Sequence, residues 1–162
     1  MRKLWLLLAV PIAALDQWVK WWVKWWPLEY LHGRSFFPGI GLTYVENTGA
    51  AFSMLDGGAA RWFLVVVSTL AAAAIILAVC KKWVAHLFGV ISLSCVLGGA
   101  VGNLVDRAAQ GYVIDMFAFT FINFAIFNVA DIFISIGGAC FCLHILLEMR
   151  KKGPDAGVDE NG

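Results

Sequence analysis

The amino-acid sequence predicts an all-α membrane protein: four transmembrane helices with a small extracytoplasmic β-sheet and an extended outer segment. Three observations carry that reading. Of the 162 residues, 61% are hydrophobic and 14% charged, with a mean hydropathy of +0.79, well beyond the ~45–50% apolar content of soluble domains. The ionisable residues divide the chain into uncharged runs close to the ~20 residues that cross a ~30 Å hydrocarbon core. Strand formers and turn residues gather between those runs. The length fits one domain over residues 1–162, ending in a polar tail at 150–162. A net charge of +1 lacks the basic excess that tracks a phosphate backbone, so nucleic acid is excluded as a partner.

The first helix is expected over about 4–26. Met1-Arg-Lys followed by Leu4 to Leu15 has the form of a cleavable leader, yet apolar character resumes past Asp16 through Trp18, Val19, Trp21, Trp22 and Val23, and the whole reads as a span. Asp16, Lys20 and Lys24 recur at intervals of four and share one face. Trp18, Trp21, Trp22, Trp25 and Trp26 read as an interfacial belt. The loop over 27–60 contains the strand-forming run Gly41-Leu-Thr-Tyr-Val45 and the turn Asn47-Thr-Gly49, which predict a small sheet on the outer surface.

Helices over 61–80 and 83–106 follow as a hairpin turned at Lys81 and Lys82. The stretch from Met116 to Leu147 holds one charge, Asp131, but as a single helix it would be ~48 Å long, so it must break. Phe117-Ala-Phe-Thr-Phe121 alternates with period two and predicts an extended segment within the outer loop 107–127, and the fourth helix runs over about 128–148. Arg2, Lys3, Lys81, Lys82, Arg150, Lys151 and Lys152 then share one side, which by the positive-inside rule is the cytoplasm, with both termini.

Polar residues inside a bilayer are expensive, and here they share a depth. Asp16 lies past the midplane toward the outer face; Asn103 and Arg107 lie four apart at the outer end of helix three; Asn128 and Asp131 lie three apart at the start of helix four. Asp115 follows in the outer loop. Asp115 and Asp131 can meet across the short extended segment, and a close carboxylate pair shares one proton, supplying a general base for water and a general acid for a leaving amine.

Each residue also has a bland reading. Asp131 at a helix start is an N-terminal dipole partner, Asp106 beside Arg107 is an interfacial ion pair, and Asp16 with Lys20 is a salt bridge that lowers the cost of insertion. Gly98-Gly99-Ala100 and Gly137-Gly138-Ala139 allow close helix packing. Cys80, Cys95, Cys140 and Cys142 lack C-x-x-C spacing and read as core thiols. His32, His86 and His144 show no metal-ligand spacing.

Five blocks in order resemble the lipoprotein signal peptidases, the type II signal peptidases of bacteria: Asp16-Gln-Trp-Val-Lys20, Asn47-Thr-Gly-Ala-Ala-Phe52, Gly98-Gly-Ala-Val-Gly-Asn-Leu-Val-Asp-Arg107, Gly111-Tyr-Val-Ile-Asp-Met-Phe117 and Phe127-Asn-Val-Ala-Asp131. The resemblance implies a metal-independent aspartic endopeptidase of the bacterial cytoplasmic membrane with no cofactor. It implies that Asp115 and Asp131 are the catalytic dyad, that Asn103, Arg107 and Asn128 line the site, and that Asp16 and Asn47 support it. The implied substrate is a lipid-modified prolipoprotein, cut before its diacylglyceryl cysteine at the outer face, by an enzyme expected to be a monomer in contact with membrane lipid. The block Val113-Ile-Asp-Met-Phe117 stands where the family more often has Val-Val-Asp-Phe, an apolar exchange.

A small four-helix proton-coupled transporter, with Asp16 or Asp131 as the proton-binding carboxylate, is the alternative. It leaves unexplained why the polar residues stop in one leaflet. A membrane scaffold would predict no clustering at all.

Overall fold

A computed structural model describes residues 2–26, 35–49 and 57–151. The expectations for residues 27–34 and 50–56, including Ala50-Ala-Phe52, for His32 and for the tail over 152–162 lie outside the described residues. Among the described residues four helices are long and apolar enough to cross a membrane: Lys3–Trp25, Ala59–Cys80, Leu87–Ala109 and Val129–Lys151. The first begins as a 3-10 turn, Arg2–Leu8, and continues as α1, Ala9–Trp25; the others are α2, Gly57–Cys80, α3, Leu87–Ala109, and α4, Val129–Lys151.

Helix α3 is the centre of the bundle and packs against α1, α2 and α4, while α2 lies at the periphery. Glycines make the approach to α3 close. A Cβ on Gly98 would stand 2.7 Å from Ile12 of α1, and one on Gly99 would run into the Ala130 carbonyl of α4. A Cβ on Gly137 would stand 2.7 Å from the Ser92 carbonyl, whereas Gly138 has nothing within 4 Å. The packing role read from the sequence thus holds for three of these four glycines.

The cysteine reading needs correction. Cys80 and Cys142 are exposed, and Cys95 and Cys140 are only partly covered. In a bilayer the outside of a bundle is itself apolar, so an apolar setting in the sequence does not mark burial. Trp18, Trp21 and Trp25 are likewise exposed, whereas Trp22 packs on the core around Val23, Leu42, Ile114 and Met116.

That core lies under an antiparallel three-stranded sheet, β1 Ser35–Phe37, β2 Ile40–Asn47 and β3 Val113–Phe119, in the order β1-β2-β3. The sheet therefore joins the two loops expected to be external, and the extended segment read at 117–121 begins earlier, at Val113. Leu42 pairs with Phe117 but Val45 pairs with Asp115, so β2 carries one extra residue in a bulge. Because side chains alternate along a strand, that residue returns Val45 and Asn47 to the face shared by Leu42 and Asp115. On its other edge β3 is bridged by Phe127, which accepts from Phe117 N at 2.8 Å and donates to Phe117 O at 3.0 Å. The next residue, Asn128, opens α4.

The turn from α3 into β3 places Gly111 at φ +90°, a conformation open to glycine. Arg61 of α2 closes the end of α3 by donating from Nε to the Arg107 carbonyl at 2.8 Å and from Nη2 to the Ala108 carbonyl at 2.7 Å. A cation there also complements the negative end of the helix.

Candidate active site

Helix α4 starts with a reciprocal cap. Asn128 Oδ1 accepts the Asp131 N–H at 3.0 Å, and Asp131 Oδ2 accepts the Asn128 N–H at 3.2 Å. This is the geometry of a capping box, with Asp131 in the third helical position. The capping reading of Asp131 therefore holds, but Asn128 also reaches past the helix: its Nδ2 donates to Asp115 Oδ1 at 2.6 Å and to Asn103 Oδ1 at 3.2 Å. Asn128 thus touches both carboxyl groups, Asp115 with its side-chain amide and Asp131 with its backbone N–H, and each acid is aligned separately, Asp115 by β3 and Asp131 by α4.

The remaining oxygens are also held. Asn47 Nδ2 donates to Asp115 Oδ2 at 2.9 Å, while Asn47 Oδ1 accepts the Gly49 N–H and fixes the turn after β2. Asn103 Nδ2 donates to Asp131 Oδ1 at 2.8 Å. Asp115, Asn103 and Asn128 are buried, and Asp131 is half-buried. Burial pushes the Asp115 carboxyl above the usual carboxylate range, and the nearby Asp131 charge pushes the same way; the Asn47 and Asn128 amides and the Lys20 charge oppose them. Arg107 is partly covered and lies within electrostatic reach of Asp131, Asp115 and Asp106.

Beneath these groups lies a second layer that the sequence reading divided wrongly. Asp106 is not an interfacial partner of Arg107: it is 4% exposed, and its Oδ2 is 2.9 Å from Lys20 Nζ. Lys20, 1% exposed, also pairs with Asp16 at 2.7 Å. Gln17 Nε2 joins them, donating to Asp106 Oδ1 at 2.9 Å and to the Gly102 carbonyl at 3.0 Å. A lone buried lysine or a lone buried carboxylate would be costly, so two carboxylates from different helices converge on one ammonium. The i, i+4 spacing of Asp16 and Lys20 signalled their pair. No sequence signal tied either one to Asp106.

All seven residues singled out for the site, Asp16, Asn47, Asn103, Arg107, Asp115, Asn128 and Asp131, fall in this one region; Lys20, Asp106 and Gln17 are the additions. A cavity of about 580 Å³ opens beside them, lined by Asn47 and Asp131 on its polar side and by Phe119, Phe124, Phe127 and Ile136 on its apolar side. At the far end of the bundle His86 and His144 meet, with ring centroids 5.7 Å apart, and His86 Nε2 is 3.4 Å from Glu148. Among the described residues no His, Cys, Asp or Glu group has the arrangement of a metal site.

Comparison with known proteins gives one consistent result. The family described as signal peptidase (SPase) II matches residues 8–147. A lipoprotein signal peptidase of Enterococcus faecalis is 35% identical over 150 residues, covering 91% of each chain. That of Symbiobacterium thermophilum is 41% identical over 150 residues, covering 90% of this chain and 96% of the relative. A solved structure described as a bacterial membrane enzyme, determined by the in meso method at 2.3 Å resolution, superposes with a TM-score of 0.79 at 25% identity, covering 93% of this chain and 92% of that one.

Proposed function

The chain belongs to the signal peptidase II family of membrane aspartic peptidases, and on that premise we propose that Asp115 and Asp131 are its catalytic dyad, acting on diacylglyceryl-modified prolipoproteins just before the lipidated cysteine. The transporter alternative has no support from the family match. The observation that carries the dyad reading is the position of Asn128, which bonds both carboxyl groups beside a cavity with an apolar wall.

The environments divide the labour. Burial favours the protonated form of Asp115, so Asp115 is the acid. Asp131 accepts the Asn103 amide and the Asn128 N–H at the positive end of α4 and lines the cavity, so Asp131 is the base. Asp131 takes a proton from water as its oxygen adds to the scissile carbonyl carbon, and Asp115 gives its proton to the carbonyl oxygen. As the tetrahedral intermediate collapses, the amide C–N bond breaks, the leaving nitrogen takes the proton from Asp131, and the hydroxyl proton returns to Asp115. No metal is required in this scheme.

The phenylalanines and Ile136 of the cavity suit the apolar part of a membrane-held substrate, and Asn47 suits its backbone. Arg107 balances the carboxylate charge. The Lys and Arg distribution supports a topology with both termini in the cytoplasm and the dyad toward the outer face of the bacterial cytoplasmic membrane. The test is purified protein with matched prolipoprotein peptides, with and without the diacylglyceryl group. Cleavage only before the modified cysteine, unaffected by EDTA, is the expected result. Equal cleavage of the unmodified peptide, or inhibition by EDTA reversed by Zn²⁺, would overturn the reading.

A further inference from the structure

Lys20 touches neither Asp115 nor Asp131, yet its partners reach both arms of the site. Asp16 Oδ1 accepts the N–H of Ala130, the residue before Asp131, at 2.8 Å. Asp106 Oδ2 accepts the N–H of Ile114, the residue before Asp115, at 3.3 Å. The two carboxylates that each hold the backbone next to a dyad residue are themselves held by one ammonium. Lys20 Nζ makes a third bond, donating to Asn103 Oδ1 at 2.8 Å.

That third bond fixes a direction. The Asn103 oxygen faces two donors, Lys20 Nζ and Asn128 Nδ2, so its amide nitrogen is left to donate to Asp131 Oδ1. Turned over, the same amide would offer an acceptor to Asp131, favouring its protonated form and removing it as a base. We propose that Lys20 is a positioning residue for peptide cleavage: through Asp16 and Asp106 it sets the spacing of the dyad, and through Asn103 it keeps a donor aimed at Asp131. This rests on the dyad reading above. The charged groups that act on Asp131 are Asp115 from β3 and Arg107 from α3; Lys20 and Asp16 from α1 and Asp106 from α3 form the layer beneath, where Lys20 also acts on Asp115.

Lys20→Met alone would leave two buried carboxylates without their cation, so the informative variant also carries Asp16→Asn and Asp106→Asn, which removes one positive and two negative charges and leaves no buried ion. Its folding is checked by thermal melting in detergent. The expected outcome for the folded triple variant is a kcat lower by ~10- to 100-fold with KM changed by less than about threefold. The acid limb of its pH profile is expected to shift, a readout that a merely structural role would not move. In an Asn103→Ala background, Lys20→Arg should cost less than it does in the wild type, because the path through Asn103 is already cut.

A folded triple variant with the wild-type acid limb and kcat would overturn the proposal. If the triple variant does not fold, the Lys20→Arg and Asn103→Ala cycle decides alone: strict additivity overturns the proposal and coupling supports it. Full activity in Asp131→Asn would instead overturn the dyad reading itself, so the two failures are distinguishable.

Discussion

Phe117 and Phe127 exchange a pair of backbone hydrogen bonds, at 2.8 and 3.0 Å, and this bridge brings Asp115 and Asp131 into one site. Asp115 lies two residues before one end of the bridge, and Asp131 lies four residues after the other. The segment between, residues 118–126, loops away and returns, so the two acids face each other although 16 positions separate them. Asn128 then closes the gap, its side-chain amide on Asp115 and its backbone N–H on Asp131.

Replacing Gly99 with alanine should disrupt this arrangement. Its Cβ would meet the Ala130 carbonyl, a backbone atom with little freedom to move, and α4 would shift away from α3 together with Asp131. Overpacking of this kind costs about 1–3 kcal/mol. A lower melting temperature with most activity lost is expected for Gly99→Ala, and wild-type behaviour for Gly138→Ala, where space is open. Equal behaviour of the two would show that close approach of α3 and α4 does not matter.

Asp106→Asn tests the layer beneath the dyad. An amide nitrogen placed at Oδ1 would face the Gln17 donor, and Lys20 would lose one of two anionic partners. The expected loss is about 1–3 kcal/mol in a denaturation measurement, with weakened cleavage. An unchanged stability would mean that Asp106 behaves as the surface ion pair that its neighbour Arg107 first implied.

These examples show what the sequence could and could not convey. The spans were legible because charge is excluded from hydrocarbon, and the uncharged runs therefore mark them. The outer strand at Gly41–Val45 was legible from its β-branched and aromatic residues. The pairing of β3 with β2, the bulge before Val45 and the Phe127 bridge were not, since strand register depends on contacts between distant segments. Asp106 was misread for a related reason: adjacent residues on a helix point about 100° apart, and the partner that mattered, Lys20, stood on another helix. Cys80 and Cys142 were misread because the aqueous rule that apolar means buried fails in lipid.

The pH dependence of cleavage follows from the raised proton affinity of Asp115. Activity requires that proton, so the alkaline limb should lie above the ~3.9 of an ordinary aspartate. Asn47 bonds the carboxyl and favours its ionised form, so Asn47→Ala should move the alkaline limb to still higher pH. The same shift makes the folded protein the tighter proton binder at Asp115. Its contribution to stability is therefore complete below the unfolded value and declines as pH rises through the folded one. A limb that moves down in Asn47→Ala would contradict the acid assignment.

Orientation is open to labelling. With the four native cysteines replaced, a cysteine at Phe121, which is 69% exposed, should react with an impermeant reagent added outside intact cells. One at Lys81, in the exposed turn after α2, should react only after permeabilisation. The opposite pattern would place the dyad at the cytoplasmic face.

The most direct measurement is single-turnover cleavage of a diacylglyceryl-modified prolipoprotein by purified Asp115→Asn and Asp131→Asn proteins whose folding has been verified by melting temperature. Each substitution keeps the shape and one of the two acceptor oxygens, while its amide nitrogen faces the second N–H donor at a cost of about 1–3 kcal/mol, which the melting temperature monitors. Each removes a proton-transfer step that the other acid cannot replace, so the rate should fall by on the order of 10³-fold or more in both. A folded variant of either kind that retains more than about a tenth of the wild-type rate would contradict the dyad.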